Sequence, residues 1–447
     1  MESTFSELDN LVSLITSSAD QIKQEYRNSR QTIPSLNSTE GHPFDAEAIS
    51  QELQDALRTV HGACAQLTAM VAPPQYTLTV LSLGHYFAAC LNVAVNAKLA
   101  DHLQSHPDGL HVSKLATLTK IDENKLARVL RLLATKHCFR EVTLDVFANN
   151  RLSIGLLSDQ PIGTMVGFMT DDNYRAGTAL SDTLSDATLT SSLSPNEAAW
   201  ARAMNYQGSV WDWYKEVDPV KGKRSGQAMV GFGSVLKLDS IVNGFTWRSQ
   251  PEGMTVCDIG GGVGHVSMHI IKACPQLRVV LQDLPATIEE AKRFWKESVP
   301  TLVTDGRVEF VPLDFLKGSP VAGCDFYFIK NVLHDWQDSD CVTIITNIRK
   351  AMKPTSRLII HEFLIQHVSS DNSDNGRFVK KAPEPLLPNY GEGRILEYYS
   401  DIAALVNAKE RTLQGFSTLG QQCGLELVKV WECGQMNSLE FKLIDAV

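Results

Sequence analysis

The chain has 447 residues, of which 43% are hydrophobic and 21% charged, with a formal net charge of -10. That length predicts two or three domains with ample core. The acidic balance argues against a nucleic-acid partner, since phosphate binding draws on lysine and arginine releasing counterions, and the nine cysteines, scattered without a CxxC pair, predict reduced thiols with no disulfide framework or metal site.

The N-terminus, MESTFSELDNLVSLITSSADQ, lacks the basic n-region and unbroken apolar core of a signal peptide. No run of 18 uncharged apolar residues is read anywhere, so no membrane partner and a cytoplasmic location are expected. Residues 1–75 form an N-terminal helical extension, with helical patterns over Leu8 to Tyr26 and Phe44 to Met70 around a polar stretch, Asn28 to Gly41. Leu53, Leu57, Val60, Cys64 and Leu67 recur at helical spacing and predict one apolar stripe, packed on the chain itself or on another subunit.

Residues 76–160 change to short helices and a small β-element. Leu110, Val112 and Leu115 lead into one helix, ENKLARVLRLLAT is a second, and CFREVTLDVFANNRLS reads as a hairpin-like wing. Such a winged-helix unit often binds DNA, but here the second helix carries only Lys125, Arg128 and Arg131 among apolar residues. A structural or dimer-forming module is therefore preferred. Residues 161–250 read as a helical linker and substrate-pocket region. Phe168 and Met169 in VGFMTDD, and Trp211 and Trp213 in SVWDWYKEVDP, are candidates for an aromatic pocket, although large apolar residues are more often core.

Residues 251–447 alternate strands and helices. MTVCDI, LRVVLQDL, RVEFVP, CDFYFIKN and RLIIHEFL are strand-like, with HVSMHIIKAC, ATIEEAKRFWKE and DSDCVTIITNIRKAM helical between them. The pattern predicts a mostly parallel sheet covered on both faces, in a Rossmann-like α/β domain. LELVKVWEC and SLEFKLID follow with no helix between them and predict an antiparallel edge. A ligand belongs beyond the carboxyl ends of such strands.

At the end of the first strand stands VCDIGGGVGH, with glycines at 260, 261, 262 and 264. Glycine is entropically costly, so the cluster needs a backbone reason, and close approach of a ligand supplies one. A dinucleotide fingerprint would put its third glycine at His265, which disfavours NAD. Asp283, about twenty residues on, ends the second strand, where a carboxylate accepts both ribose hydroxyls. A cap for the helix starting at Pro285 is the plainer role, and the two are compatible.

DIGGGVGH, QDLP, PLDF, FIKNVLHDW and NAKERT, in that order, resemble the S-adenosylmethionine-dependent O-methyltransferases of the plant caffeic acid type and their fungal polyketide relatives, from about residue 80 onward. The resemblance implies a winged-helix dimerisation domain before a Rossmann-like catalytic domain, and hence a homodimer. It places Asp258, Gly260, Gly262, Asp283, Leu284, Asp314, Phe315 and Lys330 around S-adenosylmethionine. Asp283 becomes the ribose acid, Leu284 an adenine contact, Asp314 and Phe315 neighbours of the adenine, and Lys330 a contact near the sulfonium. His334 becomes the general base, flanked by Glu362 and Glu410, and Asp335 joins the substrate residues. The departures lie at Val263 and His265 in the turn, at Ala404 where relatives often present methionine, and in a longer segment from His367 to Arg394, read as a loop over the acceptor site.

The chemistry is consistent on its own terms. An oxygen nucleophile attacking a sulfonium methyl in line is poor until it loses its proton, and histidine, with an ordinary pKa near neutrality, suits that task. A carboxylate on its far nitrogen fixes the tautomer. No metal is required. Two activities fit: O-methylation of a small aromatic or polyketide-like hydroxyl, or a repurposed site that binds the cofactor while catalysing dehydration or pericyclic ring closure.

Overall fold

The computed structural model describes residues 2–369, 379–402, 405–407 and 409–444. Ala404 and the SSDNSDNG part of the long loop, apart from Ser369, lie outside the described residues.

Two long helices, Glu2–Asn28 and Gln51–Val71, pack on each other at the N-terminus. Ser50 starts the second by accepting from the Leu53 amide at 3.1 Å, which meets one of the amide donors left open in a first helical turn. The buried face of this helix differs from the expected stripe: Leu53, Ala56, Thr59, Gly62 and Ala63 are buried, whereas Leu57 and Cys64 are exposed. Close backbone approach selects small residues there. A Cβ on Gly62 would stand 2.3 Å from the Tyr390 carbonyl oxygen. The described part of the long loop thus packs against the N-terminal helices, with Gln66 Nε2 donating to the Pro385 carbonyl at 2.8 Å.

One segment is more apolar than its neighbours although polar residues interrupt it. Pro74–Asn96 is 23 residues long and apolar enough, by length and composition, to cross a membrane. It is built as two helices, Pro74–Ser82 and His85–Asn96, with Leu83 and Gly84 between them. Threonine, serine and asparagine interrupt its apolar run without adding charge. Tyr76, Leu78, Leu81, Leu83 and Tyr86 on it are exposed.

Next comes the winged unit. Strands β1 (Leu110–His111), β2 (Arg140–Thr143) and β3 (Val146–Ala148) form a sheet in the order β1-β3-β2 beside the helices Val112–Thr119 and Glu123–Thr135. Leu126, Leu130 and Leu133 are fully buried on one face of the second helix, the i, i+4, i+7 spacing of an amphipathic helix. The helices of the following stretch cross closely. Gly231 of Pro219–Leu236 meets the Pro161 carbonyl, where a Cβ would come within 2.3 Å.

The C-terminal sheet has the order β11-β12-β8-β7-β4-β5-β6. β4 (Thr255–Ile259), β5 (Arg278–Asp283), β6 (Val308–Pro312), β7 (Phe326–Lys330) and β8 (Arg357–Glu362) are parallel neighbours. β9 (Leu364–Ile365) and β10 (Arg411–Thr412) pair as a separate short ribbon. β11 (Leu425–Cys433) and β12 (Met436–Leu443) form the antiparallel edge, and β12 joins β8. Ile259, Tyr327, Phe328, Ile359 and Ile360 are at most 1% exposed, as expected for strands buried on both faces. Register aligns Asp258 with Phe328 and Lys330 with His361, which brings the ends of β4, β7 and β8 to one edge.

Candidate active site

The glycine turn follows directly from β4. Gly260, Gly262 and Gly264 have φ of +68°, +60° and +78°, a region costly for residues with a Cβ. Packing adds a second constraint at Gly264, where a Cβ would lie 2.5 Å from Leu281 Cδ2 and 2.7 Å from Trp295 Nε1. Around Gly262 no heavy atom of the described residues, beyond its chain neighbours, lies within 4 Å of such a Cβ. The backbone there faces open space, as a cradle for a ligand requires.

Asp283 closes the cradle. One carboxylate oxygen accepts from the Gly262 amide at 2.9 Å and the other from the Leu284 amide at 2.7 Å. Neither bond caps the helix from Pro285, whose N-cap is Leu284 with no side-chain cap bond. The carboxylate instead ties the glycine turn to the end of β5, and each oxygen keeps a free lone pair. Leu284 is 53% exposed beside it. Asp258 is buried and accepts from Ser267 Oγ, while burial pushes its carboxyl up to about 6. Asp314 pairs with Lys317 at 2.7 Å. Phe315 stacks edge-on with Trp336 at 5.7 Å between ring centroids. Burial lowers the Lys330 ammonium, against the opposing pull of Glu362 and Asp258. His265 opens the next helix with its ring toward Gly233. Burial, reinforced by Lys330, takes its pKa down to about 4.

His334 sits in the short turn Leu333–Asp335 beyond β7. Its Nδ1 meets Glu410 Oε1 at 2.9 Å and lies 4.0 Å from Glu362 Oε2, and its Nε2 is 3.7 Å from Asp335 Oδ1. Glu362, the last residue of β8, is wholly buried, and its Oε1 accepts from the Val332 and Leu333 amides at 2.9 and 3.0 Å. It holds the loop that carries the imidazole. Burial opposes a charged ring at His334, but Glu362, Asp335 and Glu410 outweigh it and push the pKa up to about 10. Glu362 itself rises to about 7 through burial, against the pull of His334. Two buried acceptors, Glu362 Oε2 and Glu410 Oε2, have no hydrogen-bond partner among the described residues.

Sequence reasoning missed two supports of this loop. Arg411, 4% exposed, donates to the Leu333 carbonyl at 2.6 Å and the Trp336 carbonyl at 2.7 Å. Asp401 accepts from the Glu410 amide at 2.9 Å. The NAKERT motif contained Arg411, but only the fold shows that it reaches across to the histidine loop.

Trp211 and Asp335, both predicted for the acceptor, line one cavity of about 220 Å³ with Leu193, Trp336, Asn407 and Lys409. Phe168, by contrast, is 2% exposed and packs with Trp200, Tyr214 and Leu405, and Met169 and Trp213 pack against that cluster. These are packing positions in the helical core.

Comparison with known proteins gives this geometry a family. Residues 79–159 match the O-methyltransferase dimerisation domain and residues 233–424 the O-methyltransferase domain. The chain is 40% identical to 3-O-methyltransferase 2 of Phanerochaete chrysosporium, with 97% of each chain covered. It is 31% identical to O-methyltransferase gedA of Aspergillus terreus, over 97% of this chain and 96% of that one. Among solved structures, the mitomycin 7-O-methyltransferase MmcR superposes with a TM-score of 0.64 at 26% identity, over 85% of this chain and 99% of that one. A pericyclic reaction enzyme superposes with a TM-score of 0.66 at 18% identity, over 97% and 100%, a likeness of fold. The chain belongs to the O-methyltransferase family that uses S-adenosylmethionine, with a dimerisation domain ahead of the catalytic domain.

Proposed function

We propose that the protein methylates a hydroxyl of a small aromatic or polyketide-like acceptor, with His334 as general base. The observation that carries this reading is the 2.9 Å contact between His334 Nδ1 and Glu410 Oε1. With Nδ1 engaged, the neutral ring presents the Nε2 lone pair outward, toward the side of Asp335 and the Trp211 cavity. The bound cofactor supplies an electrophilic methyl group on a sulfonium. Gly260 and Gly262 would hold its methionine portion, Asp283 its ribose and Leu284 and Phe315 its adenine, with Asp258 and Asp314 completing the pocket.

The environment of His334 bears on the proton step. Glu362, Asp335 and Glu410 hold the His334 pKa up, against burial, to about 10, which makes the ring a strong proton acceptor. The corollary is that the ring of the unliganded chain is protonated at neutral pH. A positive charge placed beside it in the loaded complex favours the neutral ring, so the base is made competent when the site fills.

Incubation with methyl-labelled S-adenosylmethionine and a panel of phenolic acceptors tests the assignment. Label in the product supports it. A product formed without label would reject it in favour of dehydration or ring closure. The exposed apolar face of Pro74–Asn96 supports a homodimer as the working form, since such a patch in water is a docking surface. Light scattering at micromolar concentration should return twice the chain mass, and a single-chain mass rejects the dimer.

A further inference from the structure

One ligand atom each from His334, Glu362 and Glu410 lie within 4.8 Å of one another. Glu362 is fully buried and Glu410 is 7% exposed. Among the described residues, Glu362 Oε2 and Glu410 Oε2 both lack a hydrogen-bond partner, although a buried carboxylate oxygen without one is costly. The enclosure thus offers two buried carboxylates, each with an unused oxygen, beside one imidazole. We infer that this trio is also a divalent-cation site, suited to Zn2+, whose occupation switches the base off.

The donor set selects the ion. One imidazole nitrogen and two carboxylate oxygens fit tetrahedral Zn2+ with a fourth position left open, whereas Mg2+ and Ca2+ call for six or more oxygens. Zinc bonds of about 2.1 Å place tetrahedral ligands about 3.4 Å apart. The present separations from His334 Nδ1, 2.9 Å to Glu410 Oε1 and 4.0 Å to Glu362 Oε2, bracket that value. Side-chain shifts of under about 1 Å suffice. Asp335 Oδ1 lies 3.7 Å from Nε2, outside hydrogen-bond range, and a small shift of the ring toward it would supply the outer contact that orients metal-bound histidines.

Inhibition follows from the ring's two nitrogens. Nδ1 can bind a cation only through its lone pair, and the single proton of the neutral imidazole then sits on Nε2. A ring with N–H facing the acceptor cannot take the acceptor's proton. Zinc occupancy and base competence exclude each other. This second half rests on the function proposed above; the binding itself does not.

The test uses the full chain, stripped of metal, with Cys64→Ser and Cys90→Ser to remove its more accessible thiols. Competition with a chromophoric chelator should report one Zn2+ per chain, and Glu410→Gln and Glu362→Gln should each weaken it about tenfold or more. Circular dichroism checks that the variants fold. Zinc affinity unchanged in both folded variants overturns the proposal. If a variant does not fold, X-ray absorption on the zinc-loaded parent decides: a nitrogen and oxygen shell with imidazole scattering supports the site, and sulfur ligation overturns it. Zinc bound at the trio of a protein that transfers no methyl would sink the functional reading and leave this one standing. Methyl transfer with no zinc at the trio would do the reverse.

Discussion

Two histidines near the strand tips have opposite fates. His265, in the cofactor turn, is driven down to about 4 by burial and the neighbouring Lys330. His334 is driven up to about 10, because three carboxylates overcome the same effect of burial. Burial disfavours charge on both rings, and the sign of the neighbours decides the outcome. The turn is built as a backbone cradle closed by the Asp283 carboxylate, with its one histidine held neutral. The trio is built as an anionic pocket that captures protons.

The sharpest way to break this contrast is His334→Ala. Transfer should fall about 10²- to 10⁴-fold, the usual range for a lost general base, while calorimetry shows cofactor affinity retained. Near-normal turnover would remove the base assignment. The corresponding blow to the cradle is Gly264→Ala, where positive φ and contact with Leu281 and Trp295 combine. A loss of about 2–4 kcal/mol in stability by chemical denaturation is expected. Gly262→Ala, with open space around it, should cost only about 1 kcal/mol. Equal losses at the two positions would show that packing plays no part in the choice of glycine.

Asp283→Ala should weaken cofactor binding about 10- to 100-fold, equivalent to the 1.5–3 kcal/mol of a charge-assisted hydrogen bond. Unchanged affinity rejects the ribose role. A pH-dependent effect concerns His265. Its folded pKa, near 4, lies below the unfolded value of about 6.5. The fold thus prefers the neutral ring, so its contribution is fully present above pH 6.5 and is lost as pH falls toward 4. His265→Gln should flatten that part of the stability profile by about 2 kcal/mol. Profiles that superpose over pH 4 to 6.5 would show that the ring is not held neutral.

The cradle was legible because it is local. DIGGGVGH reads as strand, turn and helix within ten residues, and the structure places β4, the three positive-φ glycines and the helix from His265 in that order. The trio was reached only through resemblance, since His334, Glu362 and Glu410 come from three separated segments. Misreadings arose where a partner surface set the rule. The buried face of Gln51–Val71 runs through Ala56, Gly62 and Ala63 rather than Leu57 and Cys64, because Tyr390 and Arg58 carbonyls press against the glycines of the contact. Phe168 resembled a pocket residue but fills the helical core.

Taken alone, the amino-acid order determined the parallel sheet, its antiparallel edge and the glycine turn, since each depends on residue spacing along a few neighbouring turns or strands. The charge state of the two histidines, the service of Arg411 and Asp401 to the base, and the two unpaired carboxylate oxygens were decided only in three dimensions. Electrostatic energy depends on distance through space and on exclusion of water, and neither is fixed until the ends of β7 and β8 and the start of β10 come together.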